Sequence, residues 1–182
     1  GGIRALGKLV LIDSIVSGNT SLGNYRYGGG GIYGQEVVLD HSRISGNSTS
    51  RSFARGGGIY CQILTALNNS TISGNSTARE LSPGGGVFAI KVTLDHSEVS
   101  GNKTLGGSAR GGGIYCQTLT ALNNSTISGN STAASTGGGV YATNVTLDHS
   151  TVSGNKTLGG LSDGGGVFAK NQISLNHSLV NG

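Results

Sequence analysis

The sequence lacks several residue types and patterns that common protein classes need. Among its 182 residues it has no tryptophan, no methionine and one proline, which is unusual for a helix-rich globule. It has 12 basic and 8 acidic residues and no run of lysine and arginine, so we expect no nucleic-acid partner. No apolar run reaches the ~18 residues that a membrane span needs.

Glycine, by contrast, is abundant. Its 35 residues do not recur at every third position, which excludes a collagen triple helix. The apolar residues make up 35% of the chain and are too regularly placed for a disordered segment. This regular placement indicates a repeat.

The chain is a tandem repeat of about 27 residues. Successive Ser-Gly-Asn triplets lie 28, 28, 27, 28 and 25 residues apart, starting at Ser17, Ser45, Ser73, Ser100, Ser128 and Ser153. Between them, a glycine triplet precedes an aliphatic and usually an aromatic residue, as in Gly-Gly-Gly-Ile-Tyr at 56–60. A unit of two repeats is also visible, because 55–78 returns almost unchanged as 110–133. Repeats of this length predict a solenoid.

Each repeat predicts three short β-strands. Segments such as 92–94 alternate apolar and polar residues, and Gly and Asn turns separate them. Stacked coils would pair each strand with its counterparts ~4.8 Å above and below. We therefore predict an all-β fold, a parallel β-helix of six to seven coils, as one domain over residues 1–182. Its repeats start near residues 1, 29, 56, 84, 111, 137 and 164.

Aligning the repeats predicts columns of like residues along the rod, and the aliphatic columns are expected to face inward. The first column is Leu11, Leu39, Leu67, Leu94, Leu122, Leu147 and Leu175. The second is Val16, Ile44, Ile72, Val99, Ile127, Val152 and Val180. The third is Ile32, Ile59, Val87, Ile114, Val140 and Val167. The asparagine of each Ser-Gly-Asn predicts a ladder that bonds from coil to coil and takes the left-handed turn conformation.

The motifs Gly-Gly-Gly-Ile-Tyr and Asn-Ser-Thr-Ile-Ser-Gly-Asn resemble the right-handed parallel β-helix repeats of bacterial secreted and cell-surface proteins. These include the chlamydial polymorphic outer-membrane-protein type of repeat and the broader pectate-lyase-like superfamily. The resemblance covers nearly the whole chain, and it implies a right-handed helix and an extracellular or cell-surface location. That superfamily contains lyases, hydrolases, adhesins and passive stalks, so the resemblance implies no single activity.

All four histidines fall in one column that predicts a tight turn, where Asp, Asn and His tolerate unusual backbone angles. The column reads Asp13, His41, Asn69, His96, Asn124, His149 and His177. Histidines two coils apart are ~9.6 Å from each other. That separation is too large for zinc bonds of ~2.0–2.1 Å. Only His149 and His177 occupy adjacent coils, so we name this pair as a candidate metal site beside the turn interpretation.

A second candidate site is the aromatic column, which alternation with the inward aliphatic residues points outward. Its members are Tyr33, Tyr60, Phe88, Tyr115, Tyr141 and Phe168. Such rings either stack on one another to shield the strand backbone or form a strip that binds sugar rings or another protein.

Three further groups of residues bear on function or stability: the loop arginines, the sequon asparagines and the two cysteines. The loop arginines, which suit an anionic polysaccharide or a solvated edge, are Arg26, Arg51, Arg55, Arg79 and Arg110. The sequons, which suit glycosylation or turn chemistry, include Asn19, Asn47, Asn75, Asn102, Asn130 and Asn155. Cys61 and Cys116 share a column two coils apart, ~9.6 Å. That exceeds the ~7 Å limit for a disulfide, which predicts free thiols in the core.

The carboxylates decide the expected function. Asp40, Asp95 and Asp148 alternate with asparagine along their column, so none is paired on neighbouring coils as glycosidase chemistry requires. We therefore expect no enzyme and no cofactor. The first hypothesis is an extracellular structural scaffold: a stalk, an adhesin segment or a fibre subunit that stacks head to tail with itself or meets other surface proteins. The alternative is a carbohydrate-binding or polysaccharide-degrading β-helix.

The chain begins and ends inside a repeat, so we expect a processed chain or an excerpt whose end coils pair with further coils.

Overall fold

The computed structural model describes residues 1–22, 28–133, 136–159 and 163–182, and within these ranges it contains strands and turns but no helix. The strands pair in parallel from one coil to the next. They form three stacked sheets of 12, 7 and 6 strands, so the chain makes six complete turns and part of a seventh. This all-β parallel solenoid confirms the predicted fold class.

The strands are short, and their bounds repeat from coil to coil. Coils one and two hold β1 (Ile3–Arg4), β2 (Lys8–Ile12), β3 (Ile15–Ser17), β4 (Thr20–Ser21), β5 (Ile32–Tyr33), β6 (Glu36–Asp40), β7 (Arg43–Ser45) and β8 (Ser48–Thr49). Coils three and four hold β9 (Ile59–Tyr60), β10 (Ile63–Leu67), β11 (Thr71–Ser73), β12 (Ser76–Thr77), β13 (Val87–Phe88), β14 (Lys91–Asp95), β15 (Glu98–Ser100) and β16 (Lys103–Thr104). Coil five holds β17 (Ile114–Tyr115), β18 (Thr118–Leu122), β19 (Thr126–Ser128) and β20 (Ser131–Thr132). Coils six and seven hold β21 (Val140–Asp148), β22 (Thr151–Ser153), β23 (Lys156–Thr157), β24 (Val167–Asn176) and β25 (Leu179–Asn181).

The first sheet receives two segments from each of the first five coils, for example β5 and β6. In coils six and seven these segments join into one long strand, β21 and β24. The second sheet stacks β3 with its counterparts up to β25, and the third stacks β4 with its counterparts up to β23. Each coil therefore runs along three faces in the order sheet one, sheet two, sheet three.

Two of the three predicted aliphatic columns form the core as expected. The third column pairs Ile32 with Ile59 and Val87 with Ile114, and these side chains are fully buried. The second column is buried from Val16 to Val152, because the middle residue of each second-sheet strand points inward.

The first column was predicted wrongly in coils three and five. The register pairs Leu39 with Ala66, and Leu67 instead lies beside Asp40 at the half-buried end of the strand. In coil five the backbone of Leu122 is in register with that of Asp95, and Ala121 takes the inward place. The cause is the turn that follows: Asn68 and Asn69 both have positive φ, whereas a single histidine makes the turn in coil two. The two-asparagine turn takes one extra residue, which shifts the strand before it.

The asparagine of Ser-Gly-Asn also differs from its prediction. The left-handed residue of this turn is the glycine, for example Gly46 with φ 63° and Gly74 with φ 62°. The asparagines of coils two to six point inward and are buried, and they form the predicted ladder inside the rod. Because glycine alone adopts this conformation without a steric penalty, the asparagine is left to serve as an internal hydrogen-bonding group.

The glycine triplet is explained by the same ladder. A Cβ on Gly58 would lie 2.9 Å from the Cγ of Asn75, and a Cβ on Gly57 would collide with the carbonyl oxygens of Gly85 and Ser76. The chain therefore passes the asparagines at a distance that any larger residue would prevent.

Candidate functional site

The aromatic column forms one continuous stack along the first sheet. Successive ring centroids lie between 4.9 and 5.4 Å apart, from Tyr33 to Phe168. The last three contacts are nearly parallel, with interplanar angles of 7° to 12°. This spacing follows from parallel, in-register pairing, which brings equivalent side chains together in every coil.

The stacking limits what the aromatic column can contact. Each inner ring has a neighbour on both faces, so it presents its edge outward. Cationic groups occupy part of the remaining surface: the Arg55 guanidinium lies 4.8 Å from the Phe88 centroid, and that of Arg110 lies 5.1 Å from Tyr141. Arg110 also donates from Nη1 to the Tyr141 hydroxyl at 3.1 Å. A sugar ring could not lie flat on an inner ring of this stack, so a binding role would depend on ring edges and hydroxyl groups.

The histidine column lies at the turn between the first and second sheets, as predicted. His41, His96 and His149 each have φ 47°, and His177 has φ 43°. In three coils the histidine Nδ1 lies 2.8 Å from Oδ1 of the preceding aspartate: Asp40–His41, Asp95–His96 and Asp148–His149. In each of these coils the aspartate and the histidine of the turn are therefore linked side chain to side chain.

Each of these aspartates is bonded to a second coil as well. The Nδ2 of Asn68 donates to Asp40 at 2.9 Å, and Asn176 donates to Asp148 at 2.6 Å. The hydrogen bond from Asn68, followed by the hydrogen bond and charge of His41, lowers the pKa of the Asp40 carboxyl below its usual value of 3.8.

His149 and His177 are brought together in adjacent coils, as the repeat alignment predicts. Their rings stack with centroids 4.8 Å apart and planes inclined by 16°. The potential ligand atoms of Asp148, His149 and His177 all lie within 4.8 Å of one another. This is the one group of three metal-ligating side chains found among the residues that the structure describes. The pair is therefore the candidate metal site of the described residues.

The two cysteines are free and buried, in agreement with the prediction. Burial in the apolar core raises the pKa of the Cys61 thiol to about 12 and raises that of Cys116 as well. They occupy the place that Ala89 and Ala142 fill in other coils, so they serve as small core residues.

Five of the six sequon asparagines in the Ser-Gly-Asn triplets are too buried to act as glycan acceptors in the folded chain, and Asn19 is half-buried. Asn47, Asn75, Asn102 and Asn130 are fully buried, and Asn155 nearly so. Asn69 and Asn124, at the histidine turns, are also followed by the sequon pattern and are exposed. The repeat pattern in the sequence does not distinguish the buried from the exposed asparagines. The structure does, because the Ser-Gly-Asn side chains of coils two to six point into the rod.

The loop arginines lie on one side of the rod, after the third sheet. Arg51 and Arg79 line a shallow pocket with Leu22 and two serines, and Arg51 Nε donates to the Leu22 carbonyl at 3.2 Å. Arg26 lies outside the described residues. The threonines at equivalent positions of the third sheet are buried and form no outward face: Thr49, Thr77, Thr104 and Thr132.

A column of serines follows the histidine column, at Ser14, Ser42, Ser70, Ser97, Ser125, Ser150 and Ser178. The backbone N–H of Ser42 donates to Ser70 Oγ at 3.2 Å, and Ser42 Oγ donates to the Asp40 carbonyl at 2.8 Å. The same pattern occurs at Ser14 and Ser150. This second polar ladder pairs backbone groups at the bend, where the sheets are interrupted.

Within the described ranges, no helix is present that could cross a membrane. Comparison of the chain with models of known families, with curated proteins and with solved structures gives no match. The fold and its ladders are therefore the basis of any functional conclusion.

Proposed function

We propose that this chain is a structural scaffold: a rod whose coils continue by head-to-tail stacking on a second copy. The observation that carries the proposal is the polarity of the asparagine ladder. Each asparagine donates from both its backbone N–H and Nδ2 to Oδ1 of the asparagine in the next coil, as Asn19 does to Asn47 and Asn130 to Asn155.

A ladder with one direction has two different ends. Its first member, Asn19, presents an Oδ1 acceptor toward the side from which a preceding coil would donate, and Asn155 presents N–H groups toward a following coil. Acceptor and donor ends are complementary when two rods stack head to tail, and they are mismatched head to head. Such heterologous contacts generate open filaments.

The apolar core supports the same arrangement. In coil six Leu147 is fully buried, whereas its partner in coil seven, Leu175, is 51% exposed. Val180 likewise follows the buried Val152 and is 40% exposed. These are side chains that a further coil stacked on the seventh, from the same chain or from a second copy, would cover.

A location outside the cell or at its surface rests on the resemblance of the repeat motifs. The carbohydrate-binding alternative has weaker support, because the faces of the inner aromatic rings are occupied by neighbouring rings. A strip that bound sugars by stacking would need those faces free.

Sedimentation velocity and negative-stain microscopy of the 18.2 kDa chain at micromolar concentration test the proposal. We expect rods that lengthen with concentration. Leu175→Lys places a charge in the stacking face and should shorten them, whereas Ile90→Lys, at a position 47% exposed and between two strands of the first sheet, should not. A monomer at every concentration would overturn the stacking proposal.

A parallel assay addresses catalysis. The purified chain is incubated with pectin and alginate, with and without calcium, and reducing ends are measured. We expect no release. Turnover that disappears in Asp95→Ala or Asp148→Ala would replace the scaffold with an enzyme.

A further inference from the structure

His149 and His177, in the equivalent turns of coils six and seven, are the one pair of histidines that lie in neighbouring coils. His149 and His177 are both exposed at the surface of the rod, and their rings stack at 4.8 Å. In the other coils an asparagine follows or precedes each histidine in this column. The alternation of histidine and asparagine along the column is broken between His149 and His177, so two imidazoles lie side by side there.

Asp148 fixes the chemistry of the first imidazole. Its Oδ1 lies 2.8 Å from His149 Nδ1 and also accepts a hydrogen bond from Asn176 Nδ2 at 2.6 Å. An ionised carboxylate can only accept, so the proton of a neutral His149 lies on Nδ1 and the lone pair on Nε2. Histidines that bind metals usually have this arrangement, with the second ring nitrogen donating to a carboxylate.

We propose that His149 and His177 together bind one divalent transition-metal ion of the zinc, copper or nickel type. Imidazole nitrogen selects these ions over magnesium and calcium, which prefer oxygen ligands. Two nitrogens bound to the same zinc ion at ~2.0–2.1 Å would lie about 3.3 Å apart in tetrahedral geometry.

The required movement is small. The ring centroids are 4.8 Å apart and both rings are exposed, so rotation of the His177 ring, while Asp148 holds His149, can bring one of its nitrogens toward His149 Nε2. Water fills the remaining coordination positions, and Asp148 acts as a positioning residue that holds His149. The ion then bridges coils six and seven and stabilises the folded chain, because it binds the native state and not the unfolded one.

The chain contains its own controls. Asp40–His41 and Asp95–His96 have the same carboxylate–imidazole bond at 2.8 Å, with an asparagine donating to the carboxylate from the next coil. In these coils Asn69 and Asn124 occupy the place of the second imidazole. If a lone Asp–His pair were sufficient, three sites would be present rather than one.

The test is isothermal titration of zinc chloride into the untagged chain, with thermal melting alongside. We expect one ion per chain and a higher melting temperature with zinc. His177→Asn and His149→Asn, which use a residue that the column already tolerates, should weaken binding at least tenfold. Asp148→Asn should weaken it by about tenfold or more, as loss of a supporting carboxylate does. Because imidazole binds metal in its neutral form, acid should release the ion.

His96→Asn is the matched control and should leave both the stoichiometry and the affinity unchanged. Absence of binding by zinc, copper and nickel at millimolar concentration would overturn the proposal. So would an affinity that His177→Asn leaves intact, or one that His96→Asn reduces equally. Because both ligands belong to one chain, the expected stoichiometry of one ion per chain is the same whether or not copies stack.

Discussion

Asn47 and Asn75 are joined by two hydrogen bonds to one oxygen. The backbone N–H and the Nδ2 of Asn47 both donate to Asn75 Oδ1, at 2.9 and 3.0 Å, and both residues are fully buried. Asn75 Nδ2 donates in turn to the Ile44 carbonyl and to Asn102 Oδ1, each at 2.9 Å. One side chain thus satisfies buried polar groups of three coils, and this makes the ladder a main determinant of stability.

Asn75→Ala should lower the free energy of unfolding by about 3 kcal/mol or more. The substitution leaves buried donors of Asn47 and the carbonyl of Ile44 without partners, and each such group costs about 1–3 kcal/mol. Thermal melting followed by circular dichroism measures the effect. Asn171→Ala is the control, because it removes an exposed amide bond to Asn144 and should change stability by about 0.5 kcal/mol at most. Equal effects of the two substitutions would contradict a structural role for the ladder.

The corrected register predicts opposite outcomes for two adjacent residues. Ala66→Asn should strongly destabilise the rod, because Ala66 faces the core and an asparagine there is both too large and unpaired. Leu67→Asn should cost about 1 kcal/mol or less, a usual value away from the core, since Leu67 lies beside Asp40 in a column where Asn176 already pairs with Asp148. A larger loss for Leu67→Asn in the same melting assay would restore the register predicted from the repeat alignment.

The aromatic column should respond to loss of the ring and not to loss of the hydroxyl. Tyr115→Ala removes stacking contacts with both Phe88 and Tyr141, each worth about 0.5–1.5 kcal/mol beyond the area buried. Tyr115→Phe should be nearly neutral, because phenylalanine already occupies this column in coils four and seven.

The measurement for the aromatic column is the free energy of unfolding, with a glycan array run on the same proteins. Binding of a glycan that both substitutions abolish while the fold survives would favour the carbohydrate-binding alternative.

The buried cysteines predict a loss of stability at alkaline pH. The pKa of Cys61 is raised from 9.0 to about 12 by burial, so the folded chain holds this proton more tightly than the unfolded chain does. The resulting stability is fully present below pH 9 and is lost as the pH rises from there through about 12.

The double variant Cys61→Ala, Cys116→Ala is the control for this effect, because alanine fills the same column in other coils. The difference between the melting temperatures of wild type and variant, measured from pH 8 to pH 11, isolates the thiols from tyrosine and lysine. A difference that stays constant over this range would contradict the prediction.

The fold was predictable because its signals are local and repeated. The alternation of Ile59 and Tyr60 gives the inward and outward faces of a strand, and their recurrence in every coil gives the stacking partner. The turn role of the histidine column was predictable for the same reason, since few residues other than Asp, Asn and His adopt positive φ. The adjacency of His149 and His177 required only the count of residues between them.

The sequence by itself therefore determined the solenoid, its repeat, two of its three aliphatic columns and the pair of histidines. Tertiary structure decided the register at Leu67, because the number of left-handed residues in a turn changes how many residues it takes, and spacing alone does not reveal that number. Tertiary structure also decided that the Ser-Gly-Asn asparagines lie inside the rod. The glycine of the triplet adopts the positive φ of the turn, so the asparagine side chain points inward and its amide hydrogen-bonds to buried backbone groups. The same parallel stacking that places the aromatic rings about 5 Å apart covers their faces, a consequence of packing that no single repeat contains.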